Sequence, residues 1–442
     1  MPSSSLFLRS STTLISALSL LSASVSAAPA NTYYALDTEY SGTSFFDGFN
    51  FQNTADYSHG FVTYGDRSFS ESRGLISYDD GSVQMRVDDT NTYDGNANYW
   101  LINGVGRPSV RIESTQSWTH GLFIADVKHI PTTTTSGGCS VWPAFWTLGS
   151  GEWPLNGEID IIEGANKNLV NLGSAHTGHQ CTVQQSRSQM TGNSAGTNCN
   201  YFLGNDQYNG AGCGAYDTRS VSWGSGFNSI GGGVYAMEWT SDAIKIWFFP
   251  RGNIPSDIGA GTPDPSGWGL PFSIFNGPGC DVDANFADHR IVFDTTFCGD
   301  FAGATWASSG CAASYGDSCS NFVGNNPSEF SDAYWDINYV KLYNHISSDN
   351  DVEQHQQRSS RQHYERIYND LCSHYQQRRY NDRGYKQQRG ADQPDNFDHV
   401  RVLDLFPQYH GHDDENYYEF RHWPNRRKHD GVTRIDRECN VA

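Results

Sequence analysis

From about residue 31 to Tyr343 the chain repeats one texture, in which short β-branched and aromatic runs are broken by Gly, Asn, Asp and Ser. Ser82-Val83-Gln84-Met85-Arg86-Val87 and Gly121-Leu122-Phe123-Ile124-Ala125-Asp126-Val127 alternate with a period of two, the repeat of a strand with one buried face. Val234 to Trp239 and Ala243 to Phe249 read as two strands joined by Thr240-Ser241-Asp242, a hairpin. Ala333 to Tyr343 reads as a long closing strand, and no long amphipathic helix is apparent. The pattern predicts an all-β chain with one large β-sandwich over residues 28–345 rather than two domains.

Both ends break the pattern. Arg9 precedes an apolar stretch from Leu14 to Leu21, followed by Val25-Ser26-Ala27 and Ala28-Pro29. Residues 1–27 therefore read as a secretory signal peptide, with an apolar run too short to span a bilayer. No later stretch is long enough either, and the C-terminus lacks a lipid-anchor tail. The expectation is a secreted monomer, extracellular or in a cell wall, with no membrane partner. Residues 346–442 turn rich in Gln, Arg, His, Asp and Tyr, and hold roughly half of all Lys and Arg. So few apolar residues do not offset the entropy of ordering. That segment reads as a disordered tail or as intron sequence read through in a gene prediction. A tail that binds anionic wall polymers is the third reading.

Composition narrows the partners. A net charge of −20 repels phosphate backbones, which argues against nucleic acid. Aromatic residues make up 14% of the chain, enough to fill a sandwich core and still leave rings for sugar platforms. Secretion makes the ten Cys residues a disulfide framework rather than a metal site, and no Cys-x-x-Cys or paired-His spacing favours zinc. Eight lie between Cys139 and Cys319 and can pair fully; Cys311–Cys319 and Cys280–Cys298 are the local pairings that spacing favours. No Asn-x-Ser/Thr sequon free of Pro is present, so N-glycosylation is not expected.

Candidate chemistry lies in Asn156-Gly157-Glu158-Ile159-Asp160-Ile161-Ile162-Glu163-Gly164. On a strand Glu158 and Asp160 share one face and Ile159 and Ile161 the other, while Glu163 is out of phase. One β-bulge between Asp160 and Glu163 restores the phase. The two Glu Cα atoms then lie ~13 Å apart, and side chains leaning together bring their carboxyls to ~5–6 Å. That gap suits a retaining glycosidase, whereas an inverting one needs more room. A solvated edge or a calcium site is the competing reading, but calcium more often draws on an Asp/Asn-rich loop. Three like charges on a half-buried strand are costly without a task.

Upstream, Val141-Trp142-Pro143-Ala144-Phe145-Trp146-Thr147-Leu148-Gly149 and Glu152-Trp153-Pro154 bring three Trp residues near the acids. Indole faces stack on pyranose rings. Trp142, nearest the Val-Trp-Pro turn, is expected in the core. Downstream, Gly173-Ser174-Ala175-His176-Thr177 predicts a neighbouring strand with His176 beside the acids.

With its Trp-Pro-Ala-Phe-Trp-Thr context, the segment resembles the Glu-x-Asp-x-x-Glu signature of glycoside hydrolase family 16, in the fungal laminarinase-type branch of endo-1,3(4)-β-glucanases. The resemblance covers residues 31–343 and includes Gly106 to Ser114, Cys298-Gly299-Asp300-Phe301-Ala302-Gly303 and the closing strand. It implies a concanavalin A-like β-jelly roll with an open cleft on its concave face, a β-glucan substrate, and neither cofactor nor catalytic metal. It implies Glu158 as nucleophile, Glu163 as acid/base, and Asp160 as partner of both. It places Trp146, Trp153 and His176 against the glucose units flanking the cut, with Arg111 and Phe301 as further binding candidates. Phe301 stands where relatives are expected to carry Trp, so that subsite loses an indole donor. A wall-remodelling transglycosylase and a non-catalytic glucan-binding lectin are the alternatives on the same fold; a lectin would be expected to lack the acids.

Overall fold

The computed structural model describes residues 33–79, 81–96, 102–205 and 207–346. The expected signal peptide and residues 347–442 lie outside the described residues. Period-two alternation produces two eight-stranded, largely antiparallel sheets. One runs, in spatial order, Ser273–Phe275, Ile244–Pro250, Gly233–Trp239, Gly121–His129, Tyr334–Ile346, Ser82–Arg86 and Ile76–Asp79, with Tyr33–Ser41 also pairing on Tyr334–Ile346. The other runs Asn193–Gly196, Cys213–Tyr216, Leu172–His176, Glu158–Glu163, Val141–Gly149, His289–Phe297, Arg111–Ser114 and Phe49–Phe51. The predicted hairpin forms, with Trp239 opposite Ile244 and Thr240 N–H bonded to the Ala243 carbonyl at 3.0 Å. Among the described residues the longest α-helix is Cys319–Asn325.

The facing sides of the two sheets form the main core. Phe123, Ala125 and Val127 of the first sheet meet Phe145, Ile159, Ile161, Ile162 and Phe293 of the second. Phe145 and Phe293 stack at 4.4 Å as register partners, and Trp335 of the opposite sheet meets Phe293 edge-on at 5.4 Å. Trp335 also donates its indole N–H to the Asp294 carbonyl at 2.9 Å. That bond crosses the sandwich directly behind the face that carries the acids. Gly121–His129 is buried on both faces, since Leu122 and Ile124 are covered by Tyr34, Ile258 and Tyr343.

All eight Cys between Cys139 and Cys319 pair, but not locally. The bridges are Cys139–Cys311, Cys181–Cys280, Cys199–Cys213 and Cys298–Cys319, and neither Cys311–Cys319 nor Cys280–Cys298 forms. Cys311 and Cys319 open two successive short helices and reach adjacent strands at one end of the second sheet, where Val141 pairs with Phe297. Cys298 follows its strand His289–Phe297, and Cys139 precedes Val141–Gly149. Cys280 is brought to Cys181 by the Thr182–Gly279 bridge. Proximity in sequence gave way to tertiary placement. Cys372 and Cys439 lie outside the described residues.

Candidate active site

The strand Glu158–Glu163 carries the site, and its irregularity lies where the spacing demands. Asp160 pairs with Trp146 and Ile162 with Phe145, leaving Ile161 as the extra residue. On the other side the register shifts between Asp160 and Glu163. Ile159, Ile161 and Ile162 turn into the core, fully buried, while Glu158, Asp160 and Glu163 share the outer face. Gly157 enters the strand with φ of 81°, and a Cβ there would fall 2.4 Å from the Phe286 ring. Only glycine suits that backbone and that gap.

Each catalytic candidate is held by a directed donor. Trp153 Nε1–H donates to Glu158 Oε2 at 2.6 Å, and Trp142 Nε1–H to Glu163 Oε1 at 3.0 Å. Ser174 Oγ lies 2.9 Å from Asp160 Oδ2 and 3.0 Å from Glu163 Oε2. A hydroxyl has one proton, so it donates to one carboxyl and accepts from the other only if that one is protonated. His176 Nε2 stands 3.7 Å from Asp160 Oδ2. Gly212, with φ of 61°, lets its loop pass close to His176; a Cβ there would lie 2.8 Å from the imidazole. Glu158, Asp160 and His176 bring possible cation-ligand atoms within 4.8 Å of one another. All three already belong to the carboxyl network.

Burial raises all three acids. Glu158 is pushed up to about 7 by desolvation, against the Trp153 hydrogen bond and the Arg111 charge. Glu163 is raised by desolvation, opposed by the His176 charge and the Trp142 bond. Asp160 is raised well above the carboxylate range by desolvation, then by Glu158 and Glu163 on either side. The three titrate as a set. Burial lowers His176, so it is neutral at neutral pH and offers Glu163 no charge there. Arg111 keeps its cation: burial lowers it, but Asp294 and Glu113 outweigh burial and raise it. The permanent positive charge thus acts on Glu158.

The remaining predicted residues take distinct places. Trp146 lies on the outer face opposite Asp160, and the Arg111 guanidinium sits 5.0 Å from its ring centroid. Arg111 is bound to Glu113 at 2.9 Å and lies 3.8 Å from Asp294, with a side chain only 15% exposed. It braces Trp146 from a paired position. Phe301, in the turn Gly299–Gly303, meets Trp142 edge-on at 5.6 Å. Trp153 is 40% exposed at the rim.

Trp142 corrects an expectation: it is half-buried and bonded to Glu163 rather than in the core. It sits four residues from Trp146 on one strand, hence on the same face, and that phase was readable. Ser174 could have been found likewise, since it is two residues before His176. Asp294, raised to about 7 chiefly by burial against the Arg111 charge, had no sequence signal of its own.

The comparisons with known proteins give the family. A family model described as the XgeA-like catalytic domain of glycoside hydrolase family 16 matches residues 49–343. The chain belongs to glycoside hydrolase family 16. A Schizosaccharomyces pombe protein named as a glycosidase is 45% identical over 70% of this chain and 69% of its own length. An Arthroderma benhamiae endo-1,3(4)-β-glucanase is 40% identical over 70% of this chain and 65% of its own, and an Aspergillus niger relative of that name is matched over only 41% of its length. Among solved structures, laminarinase 16A of Phanerochaete chrysosporium is 38% identical with a TM-score of 0.63, over 71% of this chain and all of that one. An elongating family 16 β-1,3-glucosyltransferase is 43% identical with a TM-score of 0.63, over 70% of this chain and all of that one. The fold is the jelly roll of these relatives.

Proposed function

We propose that this domain cleaves β-1,3- or mixed-linkage β-1,3/1,4-glucans within the chain, with retention at the anomeric carbon. The observation that carries the reading is the bulged strand. It puts three carboxyls on one face, with Glu158 and Glu163 each held by its own indole donor. Glu163 gives its proton to the glycosidic oxygen as the Glu158 carboxylate attacks the anomeric carbon. The C–O bond breaks and a glycosyl ester forms on Glu158. Glu163, now ionised, takes a proton from water, the water oxygen attacks the same carbon, and Glu158 leaves as carboxylate. Asp160, kept protonated by burial and by the charges of Glu158 and Glu163, adds no third negative charge to the site and is linked to Glu163 through Ser174. The Arg111 charge lowers Glu158 against its burial and so helps that carboxyl ionise. Trp146, Trp153, His176 and Phe301 supply ring faces and polar edges for the flanking sugars. Names of endo-1,3(4)-β-glucanase among the relatives support the substrate class. The leader-like residues 1–27 support secretion, and a monomer suffices for this site.

A second reading has one observation in its favour. The elongating glucosyltransferase is as similar in structure as the laminarinase, and transfer differs only in that a sugar hydroxyl replaces water. Product analysis on laminarin-type and lichenan-type polymers, side by side, separates them. New reducing ends and shortened chains are expected. Redistribution of chain length without new reducing ends would replace hydrolysis by transfer. Binding without turnover would leave a lectin.

A further inference from the structure

The aromatic surface beside the acids does not end at Trp153. Its ring meets Tyr201 edge-on at 4.6 Å, and Tyr201 packs on Tyr208 at 5.1 Å and Phe202 at 5.2 Å. Phe202 and Tyr208 stand on a small hairpin, Phe202–Gly204 with Gln207–Tyr208, and are 42% and 58% exposed. So short a hairpin has no stability of its own, and its placement comes from its base. Thr177, next to His176, donates its N–H to the Cys199 carbonyl and accepts from Tyr201 N–H, both at 2.9 Å. Cys199 is bridged to Cys213, which pairs with Ala175. The hairpin is thus fixed to the strand that carries Ser174 and His176.

We propose that this hairpin is an outer subsite for the glucan, binding sugar units beyond those that touch Trp153. The inference rests on the glucanase reading of the site. Its warrant is continuity, since the rings run from the Trp153 indole bonded to Glu158 out to Tyr208 without a break. The chemistry fits a neutral polymer. Ring faces suit the C–H faces of pyranoses, and residues 202–208 contain no Lys or Arg to attract an anion. Exposed aromatic clusters of this kind mark binding surfaces more often than idle ones.

The test compares kcat/KM on a β-1,3-glucan trimer, which offers the fewest units beyond the cut, with that on a heptamer. In the double variant Phe202→Ala, Tyr208→Ala the heptamer value falls about fivefold or more, while the trimer value stays within about twofold. Tyr208→Trp keeps the heptamer preference. Tm is measured alongside, because a hairpin on this anchored base should not lower it. An unchanged heptamer-to-trimer ratio overturns the proposal, whether both values hold or both fall. Sedimentation that shows a wild-type dimer and a monomeric variant also overturns it, by making the patch a contact between copies. If the wild-type protein cleaves neither oligomer nor polymer, the glucanase reading itself has failed.

Discussion

Trp142 donates its indole N–H to Glu163 over 3.0 Å. This bond stabilises the ionised carboxylate and so holds the Glu163 pKa below where burial alone would take it. Trp142→Phe keeps a ring and removes the donor. Glu163 then stays protonated to higher pH, and the alkaline limb of the kcat/KM profile moves up by about one pH unit. An alkaline limb that stays in place would deny Glu163 the role of acid.

The partner substitution moves the opposite limb. Trp153 donates to Glu158 at 2.6 Å, and Trp153→Phe leaves that carboxyl without its donor. Its pKa rises, so the nucleophile ionises later and the acid limb moves up. One variant widens the active range and the other narrows it. Parallel shifts in both profiles would mean that the two roles are not divided as assigned.

Ser174 bridges Asp160 and Glu163. Ser174→Ala removes the bridge from a fully buried position. Loss of a hydrogen bond to a charged group costs about 1.5–3 kcal/mol. We expect kcat to fall about tenfold or more with KM little altered, since the serine faces the carboxyls. A change confined to KM would make it a substrate contact instead.

The raised acids also weaken the fold. Glu158 titrates near 4.5 in the unfolded chain and is pushed up to about 7 in the folded one. Above about pH 7 the folded state therefore carries a charge it holds poorly. That cost disappears as pH falls below the unfolded value. Glu158→Gln should therefore unfold at a higher Tm than wild type at about pH 8, with the gain fading by about pH 4. Turnover should be lost throughout. A lower Tm at alkaline pH would contradict the burial account of the site.

Much of this was legible in the sequence. Alternation gave the sheets, and the five-residue offset from Glu158 to Glu163 required a bulge, which is present with Ile161 as the extra residue. Phase along a single strand is local information. What required tertiary contact was hidden: Cys311 chose Cys139 over its near neighbour, and Asp294 became a buried carboxyl through Arg111 and the Trp335 bond behind it. Trp142 was legible but misread, because a Val-Trp-Pro turn suggested burial while strand phase placed it beside Trp146 on the outer face.

The division of labour between Glu158 and Glu163 is tested most directly by trapping the glycosyl ester. A 2-deoxy-2-fluoro β-glucoside slows the second step, and the labelled peptide is then identified by mass spectrometry. The glycosyl mass should be found on Glu158. Its appearance on Glu163, or inverted product with no label on either residue, would contradict the account.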